Sequence, residues 1–170
     1  RWRAVRVLFV QDYGINESLA LCDLSALLRD RGHRTELLLT AEERDLDGAV
    51  RRFDPDLVIV PVGIMAHRWA AEITARLRAL VRCPIAIGGL TPTFYPELLL
   101  HTDADVAIVG EAEYAALELV EAIRDGGPLD DVPNVAVRDA GAPDGLRRNA
   151  PRPLIADLDE LPPPDRELYY

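Results

Sequence analysis

The chain of 170 residues contains no lysine; all 19 of its basic side chains are arginine. That absence removes the cation of a phosphate-binding P-loop, any Schiff-base nucleophile, and the lysine that a phospho-receiver domain sets against an acidic cluster. Cysteine is nearly as scarce. Cys22 and Cys83 lie far apart and fit neither a disulfide framework nor a CxxC metal spacing, so they read as reduced cytosolic thiols. Long apolar runs are missing too: stretches such as Val58–Val62 are far too short to span a bilayer, which excludes a membrane-spanning protein. There is no basic excess, since 29 acidic residues against 19 arginines leave a net charge of -10. Nucleic acid is therefore disfavoured as a partner, because phosphate binding needs a basic footprint. The imbalance is local: residues 1–100 carry 13 arginines and 13 acids, and residues 101–170 carry 6 and 16. The chain lacks an initiator methionine and a signal peptide, and it stops after a proline-rich stretch at Tyr169 and Tyr170. These features read as a segment excised from a longer cytoplasmic protein.

With 49% hydrophobic and 28% charged residues, the composition is that of a soluble globular protein. The length allows one ordinary domain and a short appendage. Ala4–Val10 is a mostly apolar, β-branched run, as expected of a strand buried on both faces of a parallel sheet. Ser18 is a candidate N-cap, and Leu21, Leu24 and Leu28 recur at helical spacing until Gly32 supplies a stop. Thr35–Leu39 reads as the second strand, Leu46–Phe53 as a short helix, and Leu57–Val62 as the central strand. Trp69, Ile73, Leu77 and Leu80 then fall on one face of a long helix. Pro84–Ile87 and Val106–Val109 are the fourth and fifth strands, and Tyr114–Arg124 is the last helix.

Strands alternating with helices imply an α/β fold. The expectation is a flavodoxin-like (Rossmann-like) five-stranded parallel sheet, order 2-1-3-4-5, with helices on both faces. The domain boundaries drawn from the pattern are 1–127 for the α/β unit, 128–150 for an accessory hairpin around Ala140-Gly141, and 151–170 for a proline-rich extended connector. In open α/β sheets ligands bind beyond the carboxyl ends of the strands, here in the loops after Val10, Val62, Ile87 and Val109.

Those loops are the unusual parts of the sequence. Gly88-Gly89-Leu90-Thr91-Pro92-Thr93-Phe94-Tyr95-Pro96-Glu97 follows a buried strand, where paired glycines admit close backbone approach to a ligand or simply make a tight turn. Gly110-Glu111-Ala112-Glu113 opens a helix, and the acids suit its positive end, so capping alone accounts for them. The polar loop Gln11–Glu17 has a lone glycine and no GxGxxG fingerprint, which disfavours a dinucleotide. His33 and His101 read as surface residues; His67, in the loop after the central strand, is the candidate metal ligand, although lone loop histidines are usually solvated. Ser18 and Ser25 lack partners for a nucleophilic triad.

Taken in order, these segments resemble the N-terminal cobalamin (B12)-binding domain of B12-dependent radical SAM enzymes, over essentially the whole chain. The family's double glycine, Pro-Thr and Pro-Glu pairs are met by Gly88, Gly89, Pro92, Thr93, Pro96 and Glu97. Its Gly-Glu-Gly-Glu appears as Gly110, Glu111, Ala112 and Glu113, with alanine in third place. The connector that precedes the radical SAM barrel is matched by Asp157, Leu158, Asp159, Leu161, Pro162, Pro164 and Asp165. The resemblance implies that a corrinoid lies on Asp12, Tyr13, Gly14, Val62, Gly63, Met65, Gly88, Gly89, Leu90, Thr91, Pro92, Gly110, Glu111, Ala112 and Glu113. It further implies a methyltransferase whose radical SAM barrel, in the same chain, holds S-adenosylmethionine and a 4Fe-4S cluster on a CxxxCxxC motif absent here. Methionine-synthase-like domains carry Asp-x-His-x-x-Gly after the first strand; Asp12-Tyr13-Gly14-Ile15-Asn16-Glu17 has no histidine, so base-off binding without that ligand is expected. The loop Pro61–Met65 also lacks the serine or threonine common in such domains. Two other readings stay open: a degenerate docking or substrate-positioning domain that binds no corrinoid, and a flavodoxin-like module for flavin or another small molecule.

Overall fold

The structure, a computed structural model, describes residues 3–13 and 17–170. Strand β1 (Arg6–Gln11) leads to helix α1 (Leu19–Asp30), then β2 (Arg34–Leu39), α2 (Leu46–Phe53), β3 (Leu57–Pro61), α3 (His67–Leu80) and β4 (Ile85–Gly88). The fourth crossover is a short helix α4 (Leu90–Phe94) followed by a 3-10 turn (Pro96–His101), with Pro96 at the turn's start, where its missing N–H costs nothing. After β5 (Val106–Ile108) and α5 (Glu113–Asp125) comes a hairpin, β6 (Val135–Arg138) and β7 (Leu146–Arg148).

The five parallel strands stand in the order expected, 2-1-3-4-5, and the sheet is then extended to seven by β6 and β7, both antiparallel to their neighbours. The hairpin is thus part of the sheet. β5 would otherwise be a short edge with unpaired backbone groups, and β6 covers it, with Val106 opposite Val137 and Ile108 opposite Val135. Arg138 fastens the corner by donating to the carbonyls of Leu99, Thr102 and Ala104.

Period-two alternation divides the strands between two cores. Val7, Phe9, Leu57, Ile59, Ala86, Val106 and Ile108 face α1 and α5, whereas Leu8, Val10, Val58, Val60, Ile85, Ile87 and Ala107 face α2, α3 and the 3-10 turn. The helices meet these faces with the residues the pattern predicts: Leu21, Leu24 and Leu28 from α1, and Ile73 and Leu77 from α3, with Trp69 and Leu80 half-buried beside them. Ser18 caps α1 by accepting from the Leu21 N–H, and Gly32, at φ 80°, turns the chain into β2.

Two local expectations are corrected. His33 is not on the surface: it is 5% exposed, and its Nδ1 accepts the Val5 N–H at 3.2 Å, because the turn at Gly32 brings it beside the entry to β1. The stretch from 151 onward is not purely extended either. Its prolines interrupt regular structure, yet 3-10 turns form at Leu158–Glu160 and Arg166–Tyr169, and the second rests on α1 through the Asp165 N–H, which donates to the Cys22 carbonyl at 3.0 Å.

Candidate functional site

A cleft of about 670 Å³ opens at the carboxyl ends of β1, β3, β4 and β5, the size range of small-molecule sites. Its floor is apolar: Leu21 and Leu24 of α1, Ile59 of β3, Ile108 at the end of β5, and Trp69 from α3. The rim is built from the strand-to-helix connections. Of the residues singled out by sequence, Asp12, Tyr13, Val62, Gly63, Met65, Gly88, Gly89, Leu90, Gly110, Glu111, Ala112 and Glu113 line it. Gly14 falls outside the described residues, as do Ile15 and Asn16. His67 is the exposed first residue of α3 and does not line the cleft. Among the described residues no cluster of three or more histidine, cysteine or acidic side chains could hold a metal ion.

Thr91 and Pro92 are also absent from the lining, and the reason is geometric. Thr91 turns toward the β3–α3 connection, its Oγ1 donating to the Gly63 carbonyl at 2.6 Å and its N–H to the Val62 carbonyl at 3.1 Å, while Pro92 is buried. Thr93 does the same for the next loop: its hydroxyl donates to the Gly89 carbonyl at 2.8 Å and accepts from the Gly110 N–H at 3.0 Å. Thr91 and Thr93, on either side of Pro92, therefore supply struts between loops. Glu97 of the Pro-Glu pair reaches the hairpin and pairs with Arg148.

Gly89 sits at φ 103° and ψ -162°, a region essentially reserved for glycine, and a Cβ there would lie 3.1 Å from the Val62 carbonyl oxygen. The need for glycine at this position comes from the backbone itself. Gly63 contrasts with it: a Cβ there meets nothing within 4 Å, so the absence of a side chain keeps the rim of the cleft open. Met65 adopts φ 69°, uncommon for a residue with a side chain, and is 81% exposed beside the equally prominent Ile64.

At α5 the acids do not cap the helix. Glu111 accepts the Ile155 N–H at 2.9 Å through Oε2, and the N-cap position, Ala112, has no side-chain acceptor. Glu113 Oε2 is buried and has no hydrogen-bond partner among the described residues, which leaves an acceptor in the cleft wall for a ligand's hydroxyl or amide. Asn134, at φ 63°, holds this corner: it donates to the Glu111 carbonyl at 3.1 Å and accepts the Arg152 N–H at 2.7 Å.

The floor residues Leu21, Leu24, Ile59, Ile108 and Trp69 are not distinguishable in the sequence as site residues, because a leucine flooring a cleft and one filling a core have the same periodicity. Gln11 and Ser18 also line the cleft; the former lies in the loop singled out, and the latter reads only as a cap. The two cysteines take no part in it. Burial raises the Cys22 thiol pKa and pushes that of Cys83 up to about 11, which disfavours the thiolate at both.

Comparison with known proteins agrees with this geometry. The family model for the B12 binding domain matches residues 5–120, more than half of the chain. An uncharacterized methyltransferase of Pyrococcus horikoshii, PH0819, is 29% identical over 159 residues, covering 88% of this chain and 33% of that protein. The radical S-adenosylmethionine methyltransferase TsrM from Kitasatospora setae, solved with cobalamin and a 4Fe-4S cluster bound, superposes with a TM-score of 0.76 over 95% of this chain and 31% of its own, at 22% identity. The cobalamin-dependent S-adenosylmethionine radical enzyme OxsB, with aqua-cobalamin bound, gives 0.82 over 98% of this chain and 25% of its own, at 19% identity. The chain thus spans a third or less of the proteins it matches, and the two solved structures establish likeness of fold. With the family model covering the five parallel strands and the loops around the cleft, the chain belongs to the B12-binding domain family.

Proposed function

We propose that the cleft at the strand ends holds cobalamin, and that the chain is the corrinoid-carrying part of a radical SAM methyltransferase. The observation that carries this reading is an apolar-floored cleft of about 670 Å³, rimmed by Gly63, Gly88, Gly89 and Gly110, in a B12-binding domain. Cobalamin combines a large apolar ring edge, a benzimidazole base, and many amide and hydroxyl groups. The floor of Leu21, Leu24, Ile59 and Ile108 suits the base, and the orphaned Glu113 Oε2 suits a hydroxyl or amide donor. Asp12, Tyr13, Val62, Met65, Leu90, Glu111 and Ala112 complete the contact surface, with Gly14 assigned to it from sequence. Thr91 acts from behind by holding the β3 loop, and Pro92 is buried beside it.

Bound cobalamin supplies a cobalt that carries a methyl group; this chain's residues bind it, orient it and shelter its base from water. Base-off binding is favoured because the segment Asp12–Glu17 offers no histidine and His67 stands outside the lining of the cleft. The relatives' much greater length supports a barrel in the same chain that holds S-adenosylmethionine and the 4Fe-4S cluster. The test is to mix the chain with hydroxocobalamin, remove free cofactor by desalting, and record the visible spectrum of the protein. Stoichiometric retention with a base-off spectrum is expected. A base-on spectrum overturns the coordination state alone, and a colourless protein overturns the binding reading in favour of a docking domain.

A further inference from the structure

We infer that Tyr169 is a positioning residue for the corrinoid cleft, its hydroxyl fixing the wall formed where β1 passes into α1. This rests on the corrinoid reading of that cleft. The Tyr169 hydroxyl donates to Gln11 Oε1 at 2.6 Å and accepts the Ser18 N–H at 2.8 Å, and Gln11 Nε2 in turn donates to the Tyr13 carbonyl at 2.7 Å. Gln11, Tyr13 and Ser18 all line the cleft. A residue 151 positions beyond Ser18 thus closes a hydrogen-bond chain across both ends of the first connection.

The arrival of Tyr169 at this place is itself built in. Asp165 Oδ2 accepts from the Ser25 hydroxyl at 2.6 Å and from Arg29 at 2.8 Å, and Leu168 packs against the core on the α1 side of the sheet. Upstream, the same segment is tied at Arg152 to Asn134 and at Ile155 to Glu111. The terminal stretch is therefore anchored at the β5–α5 side of the cleft and again at its β1–α1 side. Burial pushes the Tyr169 hydroxyl above its ordinary pKa, so it keeps the proton it gives to Gln11. Tyr170 provides a control within the same turn: its hydroxyl donates to the Glu17 carboxylate, which does not line the cleft.

The experiment titrates the full chain and its Tyr169→Phe and Tyr170→Phe variants with hydroxocobalamin by visible absorbance, with thermal unfolding recorded for each. Y169F keeps the ring and loses the two hydrogen bonds, so its affinity should fall roughly fivefold to tenfold. Y170F should bind as the wild type does. Arg29→Gln removes an anchor of the segment on the outer face of α1 and should give a smaller loss in the same direction. Y169F within twofold of wild type, or an equal loss in Y170F, overturns the inference; should Y169F fail to fold, wild-type affinity in R29Q overturns it instead. Wild-type protein that retains no corrinoid defeats the cofactor reading, and the inference with it, so the two failures are told apart.

Discussion

Gly89→Ala and Gly63→Ala separate what the glycines of the cleft do for the fold from what they do for a ligand. Gly89 occupies φ 103° and ψ -162°, where a residue with a Cβ pays roughly 1–3 kcal/mol in strain. The added Cβ would also stand 3.1 Å from the Val62 carbonyl oxygen, a backbone atom fixed by the Thr91 N–H. Strain and crowding together predict a loss of about 2–4 kcal/mol of stability for G89A. Gly63 has no left-handed φ and open space around its Cβ position, so G63A should leave stability unchanged or raise it by about 0.4–1 kcal/mol through the unfolded chain. Urea unfolding followed by circular dichroism measures both. Gly63→Leu then tests the ligand: with near-native stability, its side chain enters the rim and should lower corrinoid retention. G89A within about 0.5 kcal/mol of wild type, or an equal loss in G63A, would refute the distinction, since surface changes without a named mechanism fall within that range.

Two further outcomes follow from the same geometry. Thr93→Val removes the hydroxyl that joins Gly89 to Gly110 in a partly solvated place, so the loss should be about 1–2 kcal/mol, or roughly 3–6 °C in Tm, with Thr93→Ser restoring most of it. Burial, with help from nearby Arg124 and against Glu121, holds His33 below its ordinary pKa. The unfolded chain then takes up the proton first, so stability is full above about pH 6.5 and declines as pH falls from there toward the folded pKa. His33→Asn should flatten that decline in urea midpoints measured between pH 7.5 and 5.5, and an unchanged slope would remove His33 as its source. The carboxylates of Asp56 and Asp165, both depressed despite burial by hydrogen bonds from Arg6 and Arg3 and from Ser25 and Arg29, act in a separate window, losing their contribution only as pH falls below about 4.

Most of the fold was legible because β1, β3, β4 and β5 are buried on both faces and announce themselves as apolar runs, and because Ser18 and Gly32 mark the ends of α1 with recognisable chemistry. The rest depended on partners distant in sequence. The hairpin pattern at Val135–Arg138 and Leu146–Arg148 is visible locally, but nothing in it says that it docks on β5. His33 is buried beside the entry to β1, where its Nδ1 accepts the N–H of Val5, 28 residues earlier. Gly89 reads as a point of close ligand approach or a tight turn; it lines the cleft, and its φ of 103° with the Val62 carbonyl nearby calls for glycine even without a ligand. Thr91 and Pro92 belong to the motif but not to the lining of the cleft, and the bond from Thr91 to the Gly63 carbonyl depends on a loop 28 residues away that the motif does not record.

That distinction bears on how such a cleft works. Three of the connections at its rim are held by side chains from elsewhere in the chain: the β3 loop by Thr91, the β5 loop by Thr93 and Asn134, and the β1 connection by Tyr169. These braces leave the floor apolar and Glu113 Oε2 without a hydrogen-bond partner among the described residues. Connections braced in this way have less freedom to lose when a ligand binds, so less ordering entropy is charged against affinity. The same bracing links the loops to one another, because releasing Thr93 frees Gly89 and Gly110 together. A ligand that secures one connection therefore stabilises its neighbour, so the effects of T93V and Y169F on corrinoid affinity should exceed what either lost hydrogen bond contributes to the stability of the empty protein.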